Sequence, residues 1–388
     1  MMDTTNSRVP TDLILVLLFF MGISIASLYN MEQLSQGHDG FAFKQAVWFT
    51  AGTAILVGIR FFDLHQLYKL SLPAYLFGIA LLAVLLVSPA SIAEPVNGAK
   101  SWFTLPGFSL QPSEFTKIST IMYLAATIVN HKKKFQKHTF KTDLYLLLKL
   151  VAVTALPVIL IMQQPDFGTS VVYLVILGAT VIFSGINWKL ISLTALLFIG
   201  VAAGLMFAAV QYTELATTAL PIDQYQVDRL ETWLSGGEQQ SDESYQVSKS
   251  LTAIGSGQLL GKGIGDLQVY IPEAQTDFIF AIVGESFGFI GCSFLILVYF
   301  YLIYRMMTLG LQMSSIDSYG SYFCFGFLIM LSVHAFQNIS MTIGVMPITG
   351  IPLLLISYGG SSVLATMLGM GVLYRIYEEY LTSQERMF

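Results

Sequence analysis

The chain alternates between long apolar runs and short polar breaks. Ten runs approach twenty residues, at 12–30, 43–60, 69–88, 112–130, 144–162, 167–185, 188–210, 277–304, 316–338 and 355–377. As a helix, a run of that length spans a hydrocarbon layer of about 30 Å and satisfies its own backbone polar groups. The pattern predicts an all-α polytopic membrane protein, a single integral membrane domain over 1–388 with ten transmembrane helices. Only Gln163–Asp166 separate the fifth and sixth runs, so these should form a tight hairpin. The first, Leu13–Leu28, exceeds the usual signal-peptide core of about 7–15 residues and reads as an uncleaved span. No internal repeat is evident, which argues against inverted-repeat transporter folds.

Composition agrees: 55% of residues are hydrophobic and 11% charged, against about 25% charged in soluble domains. Mean hydropathy is +0.68. Cys292 and Cys324 both lie in apolar runs and read as small core residues, with neither a disulfide framework nor a metal-binding spacing. Charge placement sets orientation. With the N-terminus inside, inner segments hold twelve Lys or Arg and outer segments five. Both termini are therefore expected to be cytoplasmic.

The outer loop between the seventh and eighth spans, about 211–276, has 66 residues, nine of them acidic. Gly237–Ser244 reads as mobile. Tyr245–Leu260 has helical apolar spacing (Val247, Leu251, Ile254) and should form an amphipathic surface helix. Gly255, Gly257, Gly261, Gly263 and Gly265 read as a flexible, tightly turning strip. No strand–turn–helix context supports a nucleotide-loop reading of them.

Polar groups gather at the outer ends of the spans. Trp102 precedes a Pro106–Gly107 turn and reads as an interfacial anchor or a site residue. Gln111 and Pro112 open the fourth span, where Glu114 and Lys117 share a helix face and can pair, for structure or for substrate. Asp166 reads as an N-cap of the sixth span. Asp277 sits where the long loop meets the eighth span, as an N-cap or a functional carboxylate. Glu285 lies about two turns further on, offset by about 80° on an ideal helix, so the two acids could border one cavity. Pro347, Gly350 and Pro352 precede Ser357–Ser362 (SYGGSS), irregular backbone that survives at membrane depth only where protein or water satisfies it.

The segments Asn97–Ile118, Gln163–Ser170, Val269–Gly291 and Asn338–Ser362 resemble the SEDS family of bacterial shape, elongation, division and sporulation proteins, exemplified by RodA and FtsW. The wording NISMTIG is closer to the RodA elongation branch. The chain departs from the family pattern at Ser101, Gln275, Ser286 and Leu354. The resemblance implies a peptidoglycan glycosyltransferase of the bacterial cell membrane that polymerises lipid II, with a class B penicillin-binding protein as partner. It matches the family aspartate to Asp277 and family polar positions to Trp102, Gln111, Glu114 and Lys117; Lys262, Ser357 and Ser361 join the expected substrate contacts. Asp277 would serve as base for the acceptor hydroxyl. Lys117, Lys262 or a divalent cation (Mg or Mn) would stabilise the leaving pyrophosphate. No organic cofactor and no nucleic-acid partner are expected. A lipid II flippase and a scaffold are the competing readings; a flippase needs a polar route to the inner face, whereas the polar residues concentrate outside.

Overall fold

The computed structural model describes residues 11–35, 40–94, 99–105, 108–137, 139–211 and 242–386. In chain order these form α1 (Thr11–Ser35), α2 (Phe41–Ile59), α3 (Leu64–Val87), β1 (Phe103–Leu105), β2 (Phe108–Leu110), α4 (Pro112–Lys134), α5 (Phe140–Met162), α6 (Phe167–Phe183), α7 (Trp188–Gln211), α8 (Asp242–Ser256), α9 (Ile279–Met313), α10 (Ser318–Thr342) and α11 (Gly360–Glu385). Each apolar run falls on a helix, and α8 is the expected amphipathic one. Among the described residues six helices, α1, α2, α3, α5, α9 and α10, are long and apolar enough to cross a membrane; α6 and Trp188–Leu197 are shorter apolar helices.

Local chemistry sets the helix starts. Asp63 and Gln66 form a reciprocal capping box at α3, as do Thr139 and Thr142 at α5. Asp317 accepts from Gly320 N at 2.7 Å to open α10. Two boundaries differ from the apolar pattern. α9 runs on to Met313, past the end of the apolar run, and Asp12 of α1 pairs with Arg305 on it at 2.6 Å. α11 starts only at Gly360, because α1 and α2 hold the preceding residues out of helix: Ser24 Oγ donates to Ile356 O at 2.7 Å and Gln45 Nε2 to Ser357 O at 3.0 Å.

The packing inverts the soluble rule. α3 and α10 flank α4, α11 packs along α2, and α9 along α10. α4 carries Glu114 and Lys117 yet is buried along most of its length, while Leu15, Phe77, Leu148 and Phe300 face outward. An apolar solvent takes the apolar faces, so polar groups must find partners inside.

Strands β1 and β2 pair antiparallel, with Phe103 opposite Leu110; the alternation between them was too short to predict strands. Asn97, Gly98, the Pro106–Gly107 turn and residues 237–241 of the expected mobile stretch lie outside the described residues, and Asp242–Ser244 begin α8. Helix α8 rests on α9 and α10, with Ser250 Oγ donating to Thr342 O at 2.7 Å.

The glycine strip is a packed strap rather than a loose turn. Helix α9 breaks at Gly288 (φ 64, ψ −164). The break strands backbone groups, and the strap satisfies them. Phe289 N donates to Gln258 O (2.8 Å), Ile290 N to Leu259 O (3.1 Å), Lys262 N to Glu285 O (2.9 Å) and Gly263 N to Ser286 O (3.0 Å). A Cβ on Gly261 would lie 2.2 Å from Ser286 O, and one on Gly288 2.4 Å from Gly261 N, so close backbone approach requires glycine at both.

Candidate active site

The site builds outward from the first turn of α4. Pro112 at its start loses no intrahelical bond. Lys117 Nζ donates to Glu114 Oε1 at 2.8 Å, and their side chains are 1% and 5% exposed. A second partner comes from α10: His334 Nε2 lies 3.1 Å from Lys117 Nζ, and its Nδ1 lies 3.0 Å from Pro352 O. His334 drew no notice in the sequence. A histidine inside an apolar run gives no local signal, and only the packing of α10 against α4 brings it to the lysine.

One turn along α10, Asn338 Nδ2 donates to Asp277 O (2.8 Å) and to Ile351 O (3.0 Å). A Cβ on Gly350 would sit 3.6 Å from Asp277 Oδ2, so the carboxylate lies over the 350–352 segment. That segment continues to α6, where a Cβ on Gly168 would meet Thr349 O at 2.5 Å. His334 and Asn338, spaced i, i+4 and so on one face of α10, thus contact the Lys117 head and the Asp277 backbone respectively. Asp277 does not cap α9: Phe278 holds that position, and no side chain caps it. Because helix begins only at Ile279, the ideal-helix offset expected between Asp277 and Glu285 does not apply.

Asp166 caps α6, accepting from Thr169 N at 3.0 Å and Thr169 Oγ1 at 2.8 Å. It also accepts from Gln111 Nε2 at 3.2 Å, which ties the starts of α4 and α6. Burial pushes its carboxyl above the usual range, against the opposing pull of the Thr169 bonds and nearby Lys117.

The two serines face inward. Ser357 Oγ donates to Thr276 O (2.6 Å) and accepts from Leu353 N (2.9 Å). Ser361 Oγ accepts from Gln111 N (2.9 Å) and donates to Ser109 O (3.3 Å). Both hydroxyls, expected as substrate contacts, hold backbone in this structure, Ser357 beneath the 275–277 segment and Ser361 between the hairpin and α11.

Lys262 and Glu285 form a separate node. Glu285 is fully buried, and its Oε1 accepts from Lys262 Nζ (2.6 Å), Gln268 N (2.8 Å) and Val269 N (3.3 Å). Lys262 Nζ also reaches Gln268 Oε1 at 3.2 Å. The pair pins the strap to the first half of α9, so the Lys262 charge, expected at a leaving group, is balanced by Glu285. Beside it, Ser286 Oγ accepts from Asn30 Nδ2 at 2.6 Å. Trp102 stands half-buried just before β1.

A cavity of about 160 Å³ opens next to the Asp277 segment, lined by Met31, Phe41, Tyr270, Glu273, Gln275 and Ile282 among others. A wider hollow of about 400 Å³ lies at the far end of α4, around Lys133, Phe135 and Thr142, remote from these acids. No group of three or more His, Cys, Asp or Glu side chains gathers to hold a metal among the described residues.

Fold and site together define a class: a polytopic membrane protein whose buried central helix carries an ion pair at one end, near an aspartate on a neighbouring segment. The family of cell cycle proteins comprising FtsW, RodA and SpoVE matches residues 8–381, and the chain belongs to that family. It is a multi-pass protein of the bacterial cell membrane. A relative from Dichelobacter nodosus, named as a probable peptidoglycan glycosyltransferase FtsW, is 31% identical over 372 residues, covering 95% of this chain and 88% of its own. One of the same name from Saccharophagus degradans is 37% identical over 300 residues, covering 76% and 72%. Two solved structures share the fold at 24% identity. A chain described with the coordination of polymerization and crosslinking by a peptidoglycan synthase complex has a TM-score of 0.76, covering 96% of this chain and 99% of that one. The rod shape determining protein RodA of Thermus thermophilus has a TM-score of 0.67, covering 95% and 97%. The sequence relatives carry the FtsW name, so they lend no support to the elongation branch that NISMTIG suggested.

Proposed function

We propose that this peptidoglycan glycosyltransferase polymerises lipid II into glycan strands, acting in the division branch for which its sequence relatives are named. The observation that carries the chemistry is the shared stretch of α10: His334 Nε2 faces the Lys117 ammonium, and Asn338, four residues on, holds the Asp277 backbone carbonyl. In the reaction an acceptor sugar hydroxyl attacks the donor's anomeric carbon and the bond to lipid pyrophosphate breaks. Asp277 takes the hydroxyl proton. Lys117 offers positive charge to the departing pyrophosphate, two of its three N–H groups being held by Glu114 and His334. Ten helices cross the membrane with both termini inside, which sets Asp277 at the outer face. Apolar grooves between helices hold the polyprenyl tails, and that binding energy orients the sugars.

The partner is a class B penicillin-binding protein that cross-links the product, in line with the synthase complex whose chain shares this fold. A divalent cation (Mg or Mn) bound with the substrate's phosphates would help neutralise the leaving pyrophosphate.

Purified protein mixed with lipid II in detergent, with and without the partner, tests the reading. Glycan strands from the native protein exclude pure transport, since detergent has no sides. Asp277→Asn should leave a folded protein that makes none. Near-normal polymerisation by that variant would sink the base assignment. Depletion in the cell should give filaments; rounded cells would return the protein to the elongation branch.

A further inference from the structure

We propose that His334 is a positioning residue for this reaction: a neutral imidazole, anchored through Nδ1, whose Nε2 lone pair aims the Lys117 ammonium. The proposal rests on the glycosyltransferase reading for its chemistry, and on geometry alone for the state of the ring.

The protonation pattern follows from what the ring touches. A peptide carbonyl only accepts, so the nitrogen 3.0 Å from Pro352 O carries the proton, and that nitrogen is Nδ1. An ammonium only donates, so the nitrogen 3.1 Å from Lys117 Nζ presents a lone pair, and that nitrogen is Nε2. A doubly protonated ring would set two positive charges against each other at that distance. His334 and Lys117 are each 1% exposed, so bulk water does not replace either contact.

The consequence falls on the lysine. An ammonium on a four-carbon stem rotates freely when it has one partner. Glu114 and His334 approach Lys117 from different elements, α4 and α10, and occupy two of its three N–H directions. Tetrahedral geometry then fixes the third. The same face of α10 holds the Asp277 backbone carbonyl through Asn338, so one helix touches both the lysine head and the segment that carries the aspartate. Pro352 and Ile351, gripped by His334 and Asn338, directly follow Gly350, beside which the Asp277 carboxylate lies.

Two substitutions separate aiming from tethering. An Asn side chain reaches as far as Nδ1, and a Gln side chain as far as Nε2. His334→Asn should keep the Pro352 bond and lose Lys117; His334→Gln should keep an acceptor for Lys117 and lose the Pro352 tether. The expected result with purified protein and lipid II is a fall in kcat of about 10- to 100-fold for His334→Asn at unchanged KM, the scale of a misplaced group. His334→Gln should return kcat to within about threefold of the native enzyme, the loss of one tether being small beside misplacement. Native kcat in His334→Asn, or equal loss in both variants in step with a lower Tm, overturns the proposal. A second readout needs no turnover. Histidine labelled with 15N in the intact protein should show His334 as the Nδ1–H tautomer at neutral pH, with an Nε2 resonance that shifts in Lys117→Met. An Nε2–H tautomer, a doubly protonated ring, or no shift refutes the arrangement. If Asp277→Asn polymerises normally while the 15N result holds, the reaction assignment has failed and the lysine-aiming geometry stands.

Discussion

The two ends of α4 use lysine in opposite ways. At the N-terminal end Lys117 is 1% exposed and has two partners, Glu114 and His334. At the C-terminal end Lys133 and Lys134 are exposed, and their ring contacts with Tyr68 and Phe135 are 5.3 and 5.6 Å from the centroids. Residue type is the same; the surroundings decide its meaning. Exposed lysines beside a helix C-terminus suit the macrodipole and keep their charge in water. A lysine without water must be neutralised, and whatever neutralises it becomes indispensable. Arg60–Glu378 at 2.6 Å belongs to the first kind, with Arg60 43% exposed; Lys262–Glu285 lies between, its carboxylate at 0% but its lysine 17% exposed.

The largest effect is expected at Glu114. Glu114→Leu leaves a buried ammonium without its carboxylate, and thermal unfolding in detergent should show a loss of about 3–5 kcal/mol. The double variant Glu114→Leu with Lys117→Met should recover most of that stability while glycan synthesis stays lost. If the single change is as mild as a surface substitution, the end of α4 is wetter than its burial implies.

Ser361→Ala comes next. It removes the acceptor for Gln111 N at the partly buried start of α4 and should cost about 1 kcal/mol, read as a lower Tm.

Asp166→Asn tests the sign of a buried carboxyl. The fold raises its pKa, so its stabilising contribution is fully present below the unfolded value of about 3.9 and declines as pH rises through the folded value. Asparagine keeps the cap but has no such dependence. The variant's Tm should therefore gain on the native protein as pH rises through the carboxylate range. A gain in the opposite direction would mean that the Thr169 bonds and Lys117 outweigh burial.

The smallest effect belongs to the far end. Lys133→Ala or Lys134→Ala should change stability by under about 0.5 kcal/mol, within the range of ordinary surface substitutions, and leave glycan synthesis unchanged.

Much of this was legible in the residues. Apolar run length located each long helix, because a helix in hydrocarbon must satisfy its own backbone and shed its charges. The i, i+3 spacing of Glu114 and Lys117, the cap at Asp166 and the amphipathic α8 are local facts, and local spacing predicted them. The glycine strip was seen, but its use was not: that Gly261 and Gly288 serve a close approach depends on a break in α9 more than twenty residues away. Lys262 looked available because Glu285, its partner, lies on another element.

Sequence by itself therefore determined which segments are helices, which family the chain resembles and which charged residues are out of place in lipid. Tertiary structure alone decided what those residues touch. Only the packing of α10 against α4 and the 350–352 segment brings His334 to Lys117 and Asn338 to Asp277, and it also turns Ser357 and Ser361 inward to hold backbone. The division has a physical reason. Secondary structure answers to periods of a few residues, whereas a buried charge answers to whichever element the fold places within about 3 Å of it.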